Sequence, residues 1–463
     1  MADEAGGATG TPSRRRLSTL HLLAGYFPDS ANGTEVFAHH LALGLQELGV
    51  EVAVAFHRAA DKADVPDYYE FEGVPVHVLP ALPGADERTA RYGRRVAEAT
   101  GFAELLERLQ PEIVHFHGFS TTQGLTHLAV CRARSIKTVY TMHTPGQWCL
   151  QGSLLHRGRE VCDGVLQQYR CSECRLRALG VPGGISSALA GVPRFRSLPR
   201  GRSQLARLAT IPSVVALHRE AWHEFYDGVT CVHALAQWTV DMVRRNGLPI
   251  EKARLVRSGA PSSARIVPRR DRSSRPLRVV FIGRFTETKG PDVLIRAVQK
   301  LPKDAPIRVE FWSTNARPDT PYRRRWLSEI EKDSRLAAPK KIPHDQVIRS
   351  LHDVDVCAVP SIWLETGPLT VLEAFAAGVP VLGSDLGGIR ELVRDGVDGR
   401  LFPAGDSAAL AELLQGLIDR PGTLDRLRDA VSPPRRMEDV ARDMFQIYTE
   451  IATRQNRHAT VTA

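Results

Sequence analysis

The sequence contains no run approaching the roughly 18 consecutive apolar residues that a membrane-spanning helix needs, so an integral membrane protein is not expected. Cysteine is scarce. Seven cysteines among 463 residues cannot make a disulfide scaffold, and the odd count leaves at least one thiol outside any intrachain pair. No short-period repeat runs through the chain. Negative charge is in deficit, 52 Asp+Glu against 61 Lys+Arg, and the net charge of +9 points to anionic partners. The content of 43% hydrophobic and 24% charged residues excludes global disorder and a collagen-like chain. The length exceeds one ordinary core and predicts two or three domains.

Residues 1–16 are small, polar and then basic (Arg14-Arg15-Arg16) and read as a disordered tail. The apolar run that follows is interrupted by Ser18, Thr19 and His21 and has no good cleavage site, so a cytoplasmic enzyme is expected. Leu17–Ala24 reads as a buried strand ending in a turn-rich loop with Asn32 and Gly33. A helix starting near Thr34 carries Phe37, Leu41, Leu45 and Leu48 on one face, and Val50–Phe56 is the next strand. Ile113–Phe116 and Lys137–Met142 are further strands, ending in His117 and His143. Ligands of open α/β sheets bind at that edge. Residues 229–232 read as a further strand.

From residue 146 to 226 the periodicity breaks down, which reads as an insertion in a first domain spanning 17–260. A Pro-punctuated basic linker is expected at 261–276, then a second α/β domain at 277–435. Its strands read as 277–282, 307–312, 355–359 and 379–383, with helices after Pro291 and over 368–377. A last helix reads as 437–453, followed by a frayed tail at 454–463. Two α/β halves make the cleft between them the default site.

Two constellations carry chemistry. Arg284 and Lys289 sit five apart in the loop from Gly283 to Gly290, where fixed cations and a helix start can neutralise a diphosphate. A solvated basic loop is the alternative. Glu365 and Glu373 flank a Gly367-Pro368-Leu369 turn at a helix start, and a carboxylate can accept two hydroxyl hydrogen bonds from a sugar or ribose. A surface Glu followed by a helical Glu is the plainer reading.

Taken in order, Arg284-x4-Lys289, Glu365-x7-Glu373, the run Glu373–Val381 and Gly387-Gly388-Ile389-Arg390-Glu391-Leu392-Val393 resemble the donor site of glycosyltransferase family 4. Asn32-Gly33-Thr34-Glu35 and Thr141-Met142-His143 are similar to its first-domain motifs. The resemblance implies an α/β GT-B fold: two Rossmann-like parallel-sheet domains facing a cleft, here with a Cys/Arg-rich insertion in the first. The last helix, from 436, would pack back on the first domain.

The resemblance also implies glycosyl transfer with retention from a nucleotide-diphosphate sugar, and no catalytic cofactor or metal. Arg284 and Lys289 would hold the diphosphate and Glu373 the ribose. Glu365 and His143 would contact the donor sugar. Gly367 and its neighbours at the Pro368-Leu369 helix start would bind the donor through backbone N–H groups, and Gly33 would admit the phosphate or acceptor. The acceptor would be a carbohydrate, a lipid-linked molecule or a small molecule. A nucleotide-sugar 2-epimerase, a phosphorylase and a non-catalytic nucleotide-sugar-binding subunit remain as alternatives. The chain departs from the family pattern at Asn32, Thr144, Ser258 and Trp312-Ser313-Thr314.

Cys149, Cys162, Cys171 and Cys174 follow the spacing C-x12-C-x8-C-x2-C. A structural zinc site, inert thiols and disulfides are the three readings. Cys131, Cys231 and Cys357 sit in apolar contexts and read as buried small residues. His115 and His117 read as a structural or cleft-lining pair, with zinc ligation as the other reading. The basic stretch with Arg194, Arg196, Arg200, Arg202 and Arg207 is a solvated face or docks an anionic acceptor or the inner membrane face. Nucleic acid is not expected, since no recognition motif accompanies the charge.

Overall fold

The computed structural model describes residues 16–59, 64–82, 99, 101–120, 122–158, 160–193, 204–261, 276–313 and 319–459. The expected tail over 1–15, nearly all of the expected linker, Arg194, Arg196, Arg200, Arg202 and Thr314 lie outside the described residues.

Short runs rich in Val, Ile, Leu and Phe form the central strands, which are buried on both faces as parallel sheets require, while the edge strands are more exposed. In the first half these are β1 (Ser18–Leu23), β2 (Glu51–His57), β3 (Tyr68–Phe71), β4 (Val74–Leu79), β5 (Ile113–Phe116) and β6 (Lys137–Met142). A separate hairpin, β7 (Leu155–His156) and β8 (Glu160–Val161), precedes β9 (Cys231–Ala234) and β10 (Ala253–Leu255). The large sheet has the order β10-β9-β6-β5-β1-β2-β4-β3, and only β3 runs antiparallel. β3 and β4 have no counterpart in the sequence reading. Their turn is Glu72-Gly73, both at positive φ (48° and 80°), as two-residue hairpin loops require. β9 starts two residues later than the expected 229, because Val229 is used to end the long helix Ile211–Gly228.

The second half holds β11 (Leu277–Ile282), β12 (Ile307–Ser313), β13 (Lys340–Lys341), β14 (Val356–Val359), β15 (Val381–Ser384) and β16 (Gly399–Phe402). They form one parallel sheet in the order β13-β12-β11-β14-β15-β16. Apolar clusters cover both faces of each sheet. Both sheets aim their strand C-terminal edges at one cleft.

The segment 146–226 is not the irregular stretch its sequence suggests. It forms helices Gln168–Ala178, Gly183–Ala190 and Gln204–Ala209, and most of Ile211–Gly228. Gly and Pro residues sit between these short helices and break the period. Trp222, Phe225 and Tyr226 of the last helix are fully buried with Phe116 and Tyr140, so that helix belongs to the first domain's core.

The chain ends in helix Met437–Ala459, which continues past the expected end at 453. Met437, Val440, Ala441, Met444 and Tyr448 of this second-half helix bury themselves in the first domain, against helix Gly33–Glu47 and the first sheet. The return is sewn at Ala260, whose N–H donates to Arg435 O (2.8 Å) and whose carbonyl accepts from Met437 N–H (3.0 Å). Gly259 makes this approach sterically feasible, since a Cβ there would sit 2.4 Å from the Arg436 carbonyl carbon. That neighbour is backbone and cannot rotate away. Gly259→Ala should therefore cost about 1–3 kcal/mol in urea denaturation, the usual penalty of overpacking. An unchanged unfolding midpoint would show that the helix return is not held there.

Candidate active site

The cleft between the two halves has a volume of about 360 Å³ and gathers residues from both. From the first half come Asn32, Gly33, His143 and Thr144. From the second come Arg284, Lys289, Glu365, Gly367, Pro368, Leu369 and Glu373. Every donor-side residue singled out from the sequence lines this one cavity; the four cysteines lie elsewhere.

Two helix N-termini face it. Helix Gly33–Glu47 is capped by Asn32, not Thr34; the Asn32 N–H donates to Glu35 Oε2 (3.1 Å), one half of a capping box. Helix Leu369–Ala376 begins across the cleft. A Cβ added to Gly33 would meet only Leu369 Cδ1, at 3.9 Å, an ordinary contact, so its protein neighbours do not demand glycine. The unbonded N–H groups and dipoles of both termini favour an anion between them.

The cation loop is pinned to the carboxylate loop. Gly290, at φ 67°, ends the short turn Glu287–Lys289 and lies so close to Pro360 O that a Cβ would sit 2.0 Å from it. Ile362 N–H donates to Thr288 O at 3.0 Å. Lys289 Nζ thereby reaches Glu365 Oε1 at 2.7 Å, where Ser361 Oγ (2.8 Å) and Trp363 Nε1 (2.7 Å) also donate. All three bonds fall on Oε1. Among the described residues Oε2 has no hydrogen-bond partner. Desolvation pushes the Glu365 carboxyl upward, but the Lys289 charge and the three hydrogen bonds outweigh it and hold the group below the usual glutamate range. Arg284 has no carboxylate partner among the described residues. Glu373 is buried, and desolvation raises its carboxyl above the usual range, offset in part by His344 at 3.3 Å.

The two halves meet beside these groups. The Trp238 indole N–H donates to Glu365 O (2.7 Å), and Thr366 Oγ1 donates to His143 O (2.7 Å). Glu391 of the second half accepts from the N–H groups of Gln237 (2.8 Å) and Trp238 (2.9 Å), and pairs with Arg257. It thus caps the first-half helix Gln237–Arg245.

Behind His143 runs a buried histidine chain. Strand register sets His21 beside His115. His143 Nε2 lies 3.0 Å from His117 Nδ1, and His117 Nε2 lies 3.0 Å from His21 Nδ1. His115 joins Tyr448 Oη (2.5 Å) and Thr141 Oγ1 (2.6 Å), Thr141 joins His233 Nδ1 (2.9 Å), and His233 Nε2 joins Val256 O (2.8 Å). A carbonyl only accepts, so neutral rings leave one pattern. His233 donates to Val256, Thr141 to His233, His115 to Thr141, and Tyr448 to His115. Burial keeps the rings neutral, holding His21 and His143 near 3 and His115 and His117 well below the usual histidine value. Nitrogens of His21, His115 and His117 lie within 4.8 Å of one another. Zinc ligation at His115 and His117 does not fit this donor set, because both nitrogens of each ring are already committed to hydrogen bonds.

Several of these groups escape a reading of the sequence. Ser361 and Trp363 stand immediately before Glu365, and that cluster of donors is their one local signal. His344, His21 and Trp238 have none, since their partners are distant in sequence.

Two parallel-sheet domains sharing a cleft, with paired cations and carboxylates between opposed helix N-termini, define a GT-B group-transfer enzyme. The family description "Glycosyl transferases group 1" matches residues 265–432, and "Glycosyltransferase Family 4" matches residues 31–171. The D-inositol 3-phosphate glycosyltransferase of Mycolicibacterium smegmatis is 34% identical over 90% of this chain and 86% of its own. The match to the amylovoran biosynthesis glycosyltransferase AmsK of Erwinia amylovora, at 30% identity, spans only 36% of this chain and 42% of that protein. Anabaena HepE, solved with UDP and glucose, shares the fold with a TM-score of 0.58 at 16% identity, over 96% of this chain and 100% of that one. The chain therefore belongs to glycosyltransferase family 4, the retaining GT-B enzymes that use nucleotide sugars.

The two carboxylates predict opposite pH behaviour. Glu365, held below its unfolded value of about 4.3, contributes stability that is present at neutral pH and lost as pH falls through its folded pKa. Removing its cation in Lys289→Met should therefore destabilise the fold most at neutral pH and least in acid. Glu373, held above that value, loses stability as pH rises through its folded pKa. Glu373→Gln should thus stabilise the unliganded protein, with a gain that grows from acid towards neutral pH. Thermal denaturation across pH checks both signs, and a pH-independent effect in either variant would contradict its assignment.

Proposed function

We propose that this glycosyltransferase moves a hexosyl group from a nucleotide-diphosphate sugar to an acceptor hydroxyl, with retention and without a catalytic metal. The observation that supports this reading is the convergence of Arg284, Lys289 and two helix N-termini on one cleft that also holds Glu365 and Glu373. Arg284 and Lys289 receive the diphosphate, and their charges stabilise it as the leaving group. Glu373 accepts hydrogen bonds from the ribose hydroxyls. The free oxygen of Glu365 accepts from donor-sugar hydroxyls, while its other oxygen remains on Lys289. His143 contacts the same sugar, and the N–H groups of Gly367 and Leu369, on either side of Pro368, line the phosphate side. Gly33 keeps the facing terminus open to the phosphate or acceptor. The departing diphosphate takes up the acceptor proton.

The acceptor is a polyol, a glycan or a lipid-linked sugar. The relatives' names support starting with inositol phosphates and exopolysaccharide intermediates. On this reading the enzyme works in the cytoplasm, with peripheral contact at the inner membrane face. Among the described residues no helix is long and apolar enough to cross a membrane.

The test is transfer assayed by mass spectrometry and anomeric NMR, using UDP, GDP, ADP and TDP sugars with and without EDTA. One nucleotide should raise the melting temperature, unaffected by EDTA, and support glycosylation of an acceptor. Arg284→Ala and Lys289→Ala should each lower kcat by about 10²–10³, the usual loss on removing one charge-stabilising group. Epimerised donor or free sugar phosphate as the product would replace this reading with the epimerase or phosphorylase. Full turnover in either variant would remove that residue from the mechanism. Activity only in a complex, unchanged in Glu365→Ala, would make the chain a binding subunit.

A further inference from the structure

Cys149, Cys162, Cys171 and Cys174 come from three separate pieces of chain. Cys149 follows Trp148, which is locked in the first core edge-on to Trp222 (ring centroids 5.2 Å apart, planes at 82°). Cys162 directly follows the β7–β8 hairpin. Cys171 and Cys174 lie one turn apart on the same side of helix Gln168–Ala178. All four are free thiols, and they line a single small cavity of about 30 Å³. Its lining includes no aspartate or glutamate, although Asp163 Oδ1 lies 3.7 Å from Cys162 Sγ, and His156 is the other potential ligand in the lining.

As thiols, Cys162 donates to Asp163 Oδ1 (3.7 Å), Cys171 to Val165 O (3.9 Å) and Cys174 to Leu155 O (4.0 Å), and two of these sulfurs also accept. Cys174 Sγ receives the Arg157 backbone N–H and the Gln151 side-chain amide, both at 3.1 Å, and Cys171 Sγ receives the Gln167 N–H at 3.4 Å. Such donors hold metal-bound thiolates in place. The frame is braced as well. Arg157 in the hairpin turn pairs with Glu173 on the helix (3.2 Å), and Arg170 on the helix pairs with Asp163 beside Cys162 (2.7 Å). Asn246 ties the intervening loop to the first domain through Leu166 N–H and Gly164 O (3.1 and 3.0 Å). Trp148, Leu154 and Leu166 anchor the segment in the first domain's core, against which Cys149, Cys162 and Cys171 pack. The segment's own cluster of buried residues is Leu176, Ala190, Ile211 and Val215.

We propose that Cys149, Cys162, Cys171 and Cys174 bind one structural zinc ion in a tetrahedral all-thiolate site that staples the hairpin and helix Gln168–Ala178 to the first domain. The donor set selects this chemistry, since four thiolates without carboxylates suit zinc. No three of these sulfurs lie within 4.8 Å of one another, so binding must draw them together, and four thiol protons are released as the Zn–S bonds form. The site lies apart from the cleft residues and needs no assumption about the sugar transferred.

The test is metal analysis of the full chain, purified under reducing conditions and then equilibrated with zinc. About one zinc per chain is expected, as for a closed four-ligand site. Chelation should lower the melting temperature and expose four additional thiols to alkylation. Replacement by cobalt should give the intense visible bands of a tetrahedral thiolate site. Cys162→Ser and Cys174→Ser should lose the ion, while Cys131→Ser and His117→Asn keep it. The wild-type cobalt and alkylation readouts do not depend on those variants folding. A chain that holds no zinc after equilibration, a disulfide among the four cysteines, iron with labile sulfide, or zinc lost in His117→Asn and kept in Cys162→Ser would each overturn the proposal.

Discussion

The cleft depends on keeping the Glu365 carboxylate ionised where it is buried. Water cannot supply its counter-charge there, so Lys289 does, with Ser361 and Trp363 completing the shell of one oxygen. This pair fixes the distance between two loops 76 residues apart in sequence. The same loop is held from the other side, because its backbone carbonyl accepts the Trp238 indole of the first domain. A single residue thus sets the charge of the cleft and one of the contacts across it.

Domain alignment rests on a second device, a helix that leaves the second domain and finishes in the first. Tyr448 on that helix donates to His115, and the tautomers of His115, Thr141 and His233 follow from this bond and the Val256 carbonyl. His115 stacks on His117, whose other neighbour is His143 at the cleft. The helix return and the orientation of a cleft histidine therefore share one buried polar network. The two hydrogen-bonded branches meet through that stacking contact, and the His21 branch ends in a buried Nε2 with no partner among the described residues.

The region beyond Gln147 follows a different logic. Up to the long helix Ile211–Gly228 its helices are short, its separate cluster is small, and Trp148, Leu154, Leu166 and charged pairs such as Arg157–Glu173 and Arg170–Asp163 join its pieces. These pairs are partly exposed, and exposed pairs contribute little individually. The proposed zinc site would add to these links.

The sequence by itself determined the βα alternation, most strand positions to within a residue or two, and the charged motifs that line the cleft, because these depend on local periodicity and on residues close in the chain. Arg284, Lys289, Glu365 and Glu373 were legible in this way. It misjudged segment 146–226, where short helices separated by Gly and Pro conceal their period, and it passed over the β3–β4 hairpin. Tertiary structure alone decided that Lys289 neutralises Glu365, that His344 faces Glu373, that Glu391 caps a helix of the other domain, and that His21 lies beside His115. Each of these pairings joins residues far apart in sequence. Their energies come from shared burial and charge, which exist only once the two sheets have closed on one another.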